Sequence, residues 1–338
     1  MKTTAVRHPL DAAALEQLVS AGAAAPSIHN TQPWRYRLQA DQATLEVRAV
    51  PERALRAIDA SGRALHISIG ASVFNLRMAA RNLGRQPAVR LLPDPADPQV
   101  LAQVRFTEGR ATASASDQEL FDALWRRHSS RLPFTSRPVP TRILTELAEA
   151  AHVEGAVFKV PDEAGTQRLL RLTAQAERRT LADPLRSQES RQWIARAQHS
   201  PYGIPAAALG PQDALERVPV REFTAQRHSE QLLASPFELQ PLIAVLSTTH
   251  DTRADWLRTG QALQRVLLLA TARHLRSSLL HQAMEWPDLR WALRDSRSGS
   301  GNVQMLVRLG YGPEGAATPR GPVRPAAAAA DRADRPWS

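Results

Sequence analysis

From Asp11 to Ala24 apolar residues fall at helical spacing. Leu15, Leu18 and Val19 share one face, and Asp11 stands at the N-cap position. Two alternating runs, residues 34–38 and 44–50, then predict short strands joined around Ala40 and Asp41. Over residues 63–83 the pattern changes. Leu65, Ile67, Ile69, Val73, Phe74, Leu76 and Met78 lie all round the helix, so it must be buried on most sides, and Gly84 ends it. Residues 88–92 and 101–107 predict two more strands around a proline-rich turn, and the small, polar stretch 109–116 reads as a linker.

The second half predicts helices over residues 117–127, 141–151 and 163–180, with strands over 156–160, 241–248 and 302–309. Residues 253–275 form a second long helix with Leu263, Val266, Leu267, Leu268 and Leu269 around its circumference. Residues 182–235 differ from the rest, being rich in Arg, Gln, Ser and Pro. Residues 326–338 are an alanine and charge tail that offers no core and is expected to be disordered. Each half thus reads helix, strand, long apolar helix, strand. The periodicity is too weak to establish a repeat. It is nevertheless the layout of a fused dimer, an α+β chain of two lobes over residues 1–110 and 117–325 with its long central helices packed together.

Composition narrows the chemistry. The net charge of +10 suggests nucleic acid, but two of the 43 basic residues are lysine, Lys2 and Lys159, and the 41 arginines are interleaved with Asp and Glu along the whole chain. No nucleic-acid partner is expected. Without cysteine there is no disulfide or thiolate chemistry. No apolar run reaches membrane-spanning length and no signal peptide is visible, so a cytoplasmic location is expected. The ten histidines are scattered and no zinc, phosphate-loop or nucleophile-elbow motif occurs, so no metal site is expected.

Two stretches carry candidate chemistry. Residues 25–34 read Ala-Pro-Ser-Ile-His-Asn-Thr-Gln-Pro-Trp. Pro26 should end the preceding helix, and Ser27 and Asn30 supply groups that both donate and accept hydrogen bonds. Taken alone, this is either a ligand loop or a capped helix-to-strand turn. Residues 126–134 read Arg-Arg-His-Ser-Ser-Arg-Leu-Pro-Phe. Arg127, Ser129 and Arg131 would lie on one side of an extended segment, where two guanidinium groups and a hydroxyl could converge on a phosphate. The same arginines could equally complement a helix C-terminus.

Both stretches resemble the FMN-dependent nitroreductase family, and the whole of residues 10–325 is similar to its tandem-fused, Acg-type branch. The loop looks like the family's flavin-contacting Pro-Ser-x-x-Asn segment. Arg127, Ser129 and Arg131 match its Arg-x-Ser-x-Arg motif, while Phe134 comes one residue late. Residues 305–311 and 318–322 look like the family's closing strand and basic Pro-Arg segment, with Gly321 where another basic residue would fit. The resemblance implies an FMN site at the lobe junction. It would be formed by Pro26, Ser27, Ile28 and Asn30 from the loop, and by Arg127, His128, Ser129 and Arg131 from the basic segment. Leu279, Leu280 and His281 would meet the flavin edge, and Arg320 would complete the phosphate site. His281 is expected to be a helix-end histidine satisfied by backbone.

The loop occurs only in the first half and the arginine motif only in the second; residues 151–155 stand where a second loop would be. One FMN per chain is therefore expected, in a monomeric pseudo-dimer or a further homodimer. The implied activity is NAD(P)H-dependent reduction of a nitroaromatic, quinone or other electron-poor acceptor, with no side chain acting as acid or base. The alternative is a protein that sequesters FMN, with residues 182–235 folded over the flavin as a lid that excludes NAD(P)H.

Overall fold

The computed structural model describes residues 9–108, 114–223, 234–294 and 301–322. Helix α1 (Ala12–Ala23) opens with Asp11 accepting from Ala14 N at 2.7 Å, and it buries Leu18, Val19 and Ala21. Strands β1 (Trp34–Leu38) and β2 (Thr44–Ala49) follow, then helix α2 (Arg63–Asn82), β3 (Arg85–Leu91) and β4 (Val100–Glu108). These strands form an antiparallel sheet in the order β1-β2-β4-β3.

The chain continues through α3 (Ala115–Arg126), α4 (Thr141–Val153), β5 (Val157–Lys159), α5 (Glu163–Ala182) and α6 (Pro184–Ala197). A two-residue parallel pair, β6 (Gln212–Asp213) and β7 (Ala234–Ser235), precedes β8 (Leu242–Thr248) and the long helix α7 (Arg253–Ala272). Then come β9 (Arg276–Leu280), α8 (Pro287–Ala292) and β10 (Asn302–Gly310). The second antiparallel sheet has the order β5-β8-β10-β9.

The pattern-based elements are present, with differences that have physical causes. β9 is absent from the periodicity because α7 runs into it without a glycine or proline: His274, at φ 60°, makes the left-handed break that glycine usually makes. α6 occupies part of the polar 182–235 stretch. Asp183 caps it and Pro184 begins it, but the helix buries only Ser187, Ser190 and Trp193, too narrow a stripe to show as a period. Of the expected linker, residues 109–113 lie outside the described residues, and so does the tail at 326–338. The rest of the linker, from Ser114, is the cap and first turn of α3.

The two cores interpenetrate. Leu257 and Leu268 of α7 pack into the core of the first sheet, and Ile67 of α2 packs into that of the second. Helix α3 also buries Leu120, Phe121, Ala123 and Leu124 in the first core. The exchange is possible because α2 and α7 meet backbone to backbone. A Cβ on Gly70 would lie 2.1 Å from Leu257 O, and one on Gly260 would lie 2.1 Å from Ile67 O. Beyond the crossing, Gln264 donates to Asn75 Oδ1 at 2.7 Å, and Asn75 donates to Ala21 O at 2.8 Å, so amide groups are paired across the helices. Among the described residues no helix is long and apolar enough to cross a membrane.

Gly70→Ala places a methyl group inside a backbone contact, so the helices must separate. A loss on the order of 3 kcal/mol is expected in urea unfolding; an unchanged midpoint would mean that the helices do not touch there.

Candidate functional site

The loop after α1 is held in a conformation that local preference opposes. His29, Asn30 and Gln32 all have positive φ, at 48°, 53° and 49°. Histidine and asparagine tolerate this region better than most residues, yet each such position costs about 1 kcal/mol or more. Hydrogen bonds to remote segments hold it there. Ser27 Oγ accepts from Gln32 N at 2.9 Å, and Ile28 N donates to Ser68 Oγ of α2 at 3.2 Å. Asn30 Nδ2 donates to Gly203 O at 2.9 Å and Pro319 O at 3.1 Å, while its Oδ1 accepts from Arg320 at 3.0 Å. Gln32 donates to Pro201 O at 2.8 Å and accepts from Gly321 N at 2.9 Å. Asn30 is therefore a clamp that joins three distant stretches of chain.

Opposite the loop, residues 128–130 leave α3 in an extended run beside β9, with Ser130 N donating to Ser277 O at 2.8 Å. All twelve residues nominated from the sequence line one cavity: Pro26, Ser27, Ile28, Asn30, Arg127, His128, Ser129, Arg131, Leu279, Leu280, His281 and Arg320. Ala64, Ile67, Ser68 and Ala71 of α2 and Leu263 of α7 also line it, so the cavity sits at the helix crossing.

The arginines do not group as their spacing suggests. Arg127 is buried, and its Nε and Nη1 have no hydrogen-bond partner among the described residues. Burial, reinforced by the charge of Arg320, pushes its pKa down to about 9. Arg320 is brought down to about 10 by burial, and its Nε also lacks a partner among the described residues. Arg131 is drawn elsewhere in the cavity wall: it donates to Ala208 O at 2.6 Å and stacks over Phe223, 5.0 Å from the ring centre, and the cation acting on it is Arg221. The guanidinium whose charge acts on Arg127 is thus that of Arg320, not that of Arg131. Gly321 leaves no room for a further basic side chain, because a Cβ there would lie 2.5 Å from Tyr202 Oη.

At the other end a buried chain of polar groups crosses the wall. Arg63 Nη2 lies 2.7 Å from His281 Nε2, and His281 Nδ1 lies 2.9 Å from Glu285 Oε1. Glu285 Oε1 also accepts from Arg221 Nη2 at 2.5 Å, and Arg221 Nη1 lies 2.9 Å from His29 Nε2. His281 therefore follows a strand and is satisfied by side chains, in place of the helix-end histidine bonded to backbone that the sequence suggests. Burial and the neighbouring Arg63 bring its pKa down to about 4 against the upward pull of Glu285. Burial favours the neutral form of Glu285, but Arg221 and the bond from His281 outweigh it and hold the carboxyl below its usual range.

His29, Ser68, Arg221, Phe223 and Glu285 also line the cavity and are not among the residues nominated from the sequence. His29 lies within the loop singled out at residues 25–34, and Glu285 falls four residues beyond His281. Arg221 and Phe223 lie in the polar stretch whose path over the cavity no local pattern reveals.

Two outcomes follow for the unliganded protein. A buried, unpaired guanidinium is a net cost, so Arg127→Met should raise the thermal midpoint in phosphate-free buffer; a fall would mean that the charge is compensated. His281 takes up its proton near pH 6.5 when unfolded but only at about 4 when folded. The unfolded chain then binds more protons in that window, so stability declines as pH falls from 6.5 towards 4. His281→Asn should flatten this slope in urea titrations at stepped pH, and an equal slope in both proteins would contradict a neutral buried imidazole.

The chain is similar to known proteins. The nitroreductase family model matches residues 124–311, from α3 to the end of β10. A Mycobacterium tuberculosis H37Rv protein named "Putative NAD(P)H nitroreductase Rv3131" is 31% identical over 307 residues, covering 90% of this chain and 87% of the relative. The same organism's "Putative NAD(P)H nitroreductase acg" is 28% identical over 320 residues, covering 91% and 93%. Among solved structures, a Bacteroides fragilis nitroreductase with bound FMN is 17% identical, with a TM-score of 0.35, covering 61% of this chain and 95% of that one. With a relative of 31% identity along nine-tenths of its length and a family model over more than half of it, the chain belongs to the nitroreductase family.

Proposed function

We propose that the chain binds one FMN in the cavity at the helix crossing and acts as an NAD(P)H-dependent oxidoreductase on nitroaromatics, quinones or similar electron-poor acceptors. The observation that carries this reading is that buried Arg127 and half-buried Arg320 share one cavity wall. Two guanidinium groups in one cavity wall, with three nitrogens unpartnered among the described residues, suit a dianionic phosphate in charge and offer it free donors. When bound, the flavin supplies two-electron transfer between reduced nicotinamide and acceptor. Arg127 and Arg320 would hold its phosphate, with Ser129 and Thr318 as neighbouring hydroxyls in the cavity wall. The apolar side chains of Ile28, Leu279 and Leu280 would exclude water from its ring system.

The pseudo-dimer reading accounts for a single site. In the second half, the turn after α4 takes the place of the loop after α1. There Glu154 pairs with Arg77 at 2.5 Å and Arg265 at 3.0 Å, so a protein ion pair fills that seam. We place the lobes at residues 1–110 and 117–325, with α3 reaching across to the first core.

A second reading, FMN sequestration, has its own support. Residues 201–221 are stitched over the cavity by Gln32 to Pro201 O, Asn30 to Gly203 O, Arg53 to Tyr202 Oη at 2.8 Å, Arg131 to Ala208 O and Arg221 to His29. Such a lid would restrict access by NAD(P)H. An anaerobic absorbance titration separates the readings: an enzyme bleaches with NADPH and recolours with a quinone, whereas a sequestering protein bleaches only with dithionite. Both readings require bound flavin. Arg127→Met and Arg320→Met should each weaken FMN about a hundredfold, by loss of charge-assisted bonds, in fluorescence-quenching titrations. Unaltered binding in both would remove the basis of the proposal.

A further inference from the structure

His29 is a cavity residue whose donor the proposed phosphate site does not explain. Arg221 Nη1 lies 2.9 Å from its Nε2. A guanidinium has only donors, so Nε2 must accept and the imidazole proton must sit on Nδ1. The same logic fixes the far end of the chain. Arg63 donates to His281 Nε2, so His281 carries its proton on Nδ1 and passes it as a hydrogen bond to Glu285 Oε1, which also accepts from Arg221. Every bond from Arg63 to His29 thus has a defined direction.

The series ends in a buried N–H. His29 is 6% exposed, and its Nδ1 has no partner among the described residues. A donor left in that state is costly, and folded proteins rarely keep one without use. The ring is also held in place: its backbone sits at φ 48°, and Phe223 packs edge-on with ring centres 5.1 Å apart.

We propose that His29 Nδ1–H is a hydrogen-bond donor to an acceptor oxygen of the molecule bound in the cavity, and that Arg221 is the positioning residue that fixes its tautomer. The oxygen is either a carbonyl of the bound flavin or the nitro or quinone oxygen of the electron acceptor. The inference rests on the reading of this cavity as a ligand site. The role is orientation, not proton transfer: burial, then the charges of Arg221, His281 and Arg131, hold the imidazole neutral.

The test uses the full chain labelled with 15N-histidine. Long-range 1H–15N spectra should show, besides the Nδ1-protonated rings of His66 and His281, a neutral Nδ1-protonated ring between pH 6 and 8 that disappears in His29→Asn, with or without FMN; if the ring that disappears is Nε2-protonated or titrates in that range, the proposal is overturned. Binding then identifies the oxygen. His29→Leu removes the donor, whereas His29→Asn keeps an N–H close to the Nδ1 position and suits a positive φ.

If the oxygen is the flavin's, His29→Leu weakens FMN roughly tenfold and shifts its visible absorption, and His29→Asn restores both. If it is the acceptor's, FMN binding is unchanged while 4-nitrobenzoate binding to the oxidised holoprotein weakens roughly tenfold, again with rescue by His29→Asn. Unchanged binding of both ligands, or an equal loss in the two variants, overturns the proposal. A wild-type chain that takes up no FMN refutes the flavin reading separately. The ring spectrum and 4-nitrobenzoate binding to the flavin-free chain then still decide the role of His29.

Discussion

The contact between α2 and α7 at Gly70 and Gly260 is the constraint on which the rest of the structure depends. Helix axes usually stand 8–10 Å apart because side chains lie between them. Here two glycines bring backbone against backbone, with Leu257 O and Ile67 O where side chains would otherwise be. That closeness lets Leu257 and Leu268 enter one core while Ile67 enters the other, so neither half has a complete interior alone. It also brings α2 and the extended segment after α3 to opposite sides of one cavity. The site is a product of the crossing, not of either sheet.

The cavity has a strongly cationic end and a wired end. At the first, Arg320 stands close enough to depress the proton affinity of Arg127 beyond what burial does. At the second, two cations share Glu285 and two neutral imidazoles, so the positive charge is partly offset and hydrogen-bond direction is fixed. The first arrangement suits a mobile anionic group, and the second holds a rigid surface. A fold can carry the uncompensated end because its cost of a few kcal/mol is small beside the burial achieved by two interlocked cores.

Much of this is legible in the sequence. The loop at residues 25–34 announces itself through Pro26, Ser27 and Asn30, and the two long helices through apolar positions on every side. What local pattern does not convey is pairing at a distance. Arg127 and Arg131 sit four residues apart, yet Arg127 acts with Arg320 because the extended run beside β9 sends the two side chains to different neighbours. His29 looks like an ordinary turn residue until Arg221, 192 positions away, is brought against it. β9 is hidden because His274 takes a conformation usually signalled by glycine. Asn30 is legible as a site residue, but not as the clamp that its amide bonds make it.

That clamp bears on how the chain comes to be made. The loop following the first helix is locked by Pro319, Arg320 and Gly321, 289 or 290 positions further on. A ribosome delivers the loop first and its fastening only after the whole of both cores has emerged. Throughout that interval the left-handed turn has its bonds to Ser27, Ser68, Pro201 and Gly203 but lacks those from residues 319–321, and the cavity lacks the Arg320 guanidinium. The last stretch of chain to emerge thus completes the wall of the cavity, and a product truncated just before it would keep both cores but leave Asn30 and Gln32 without their partners at residues 319–321.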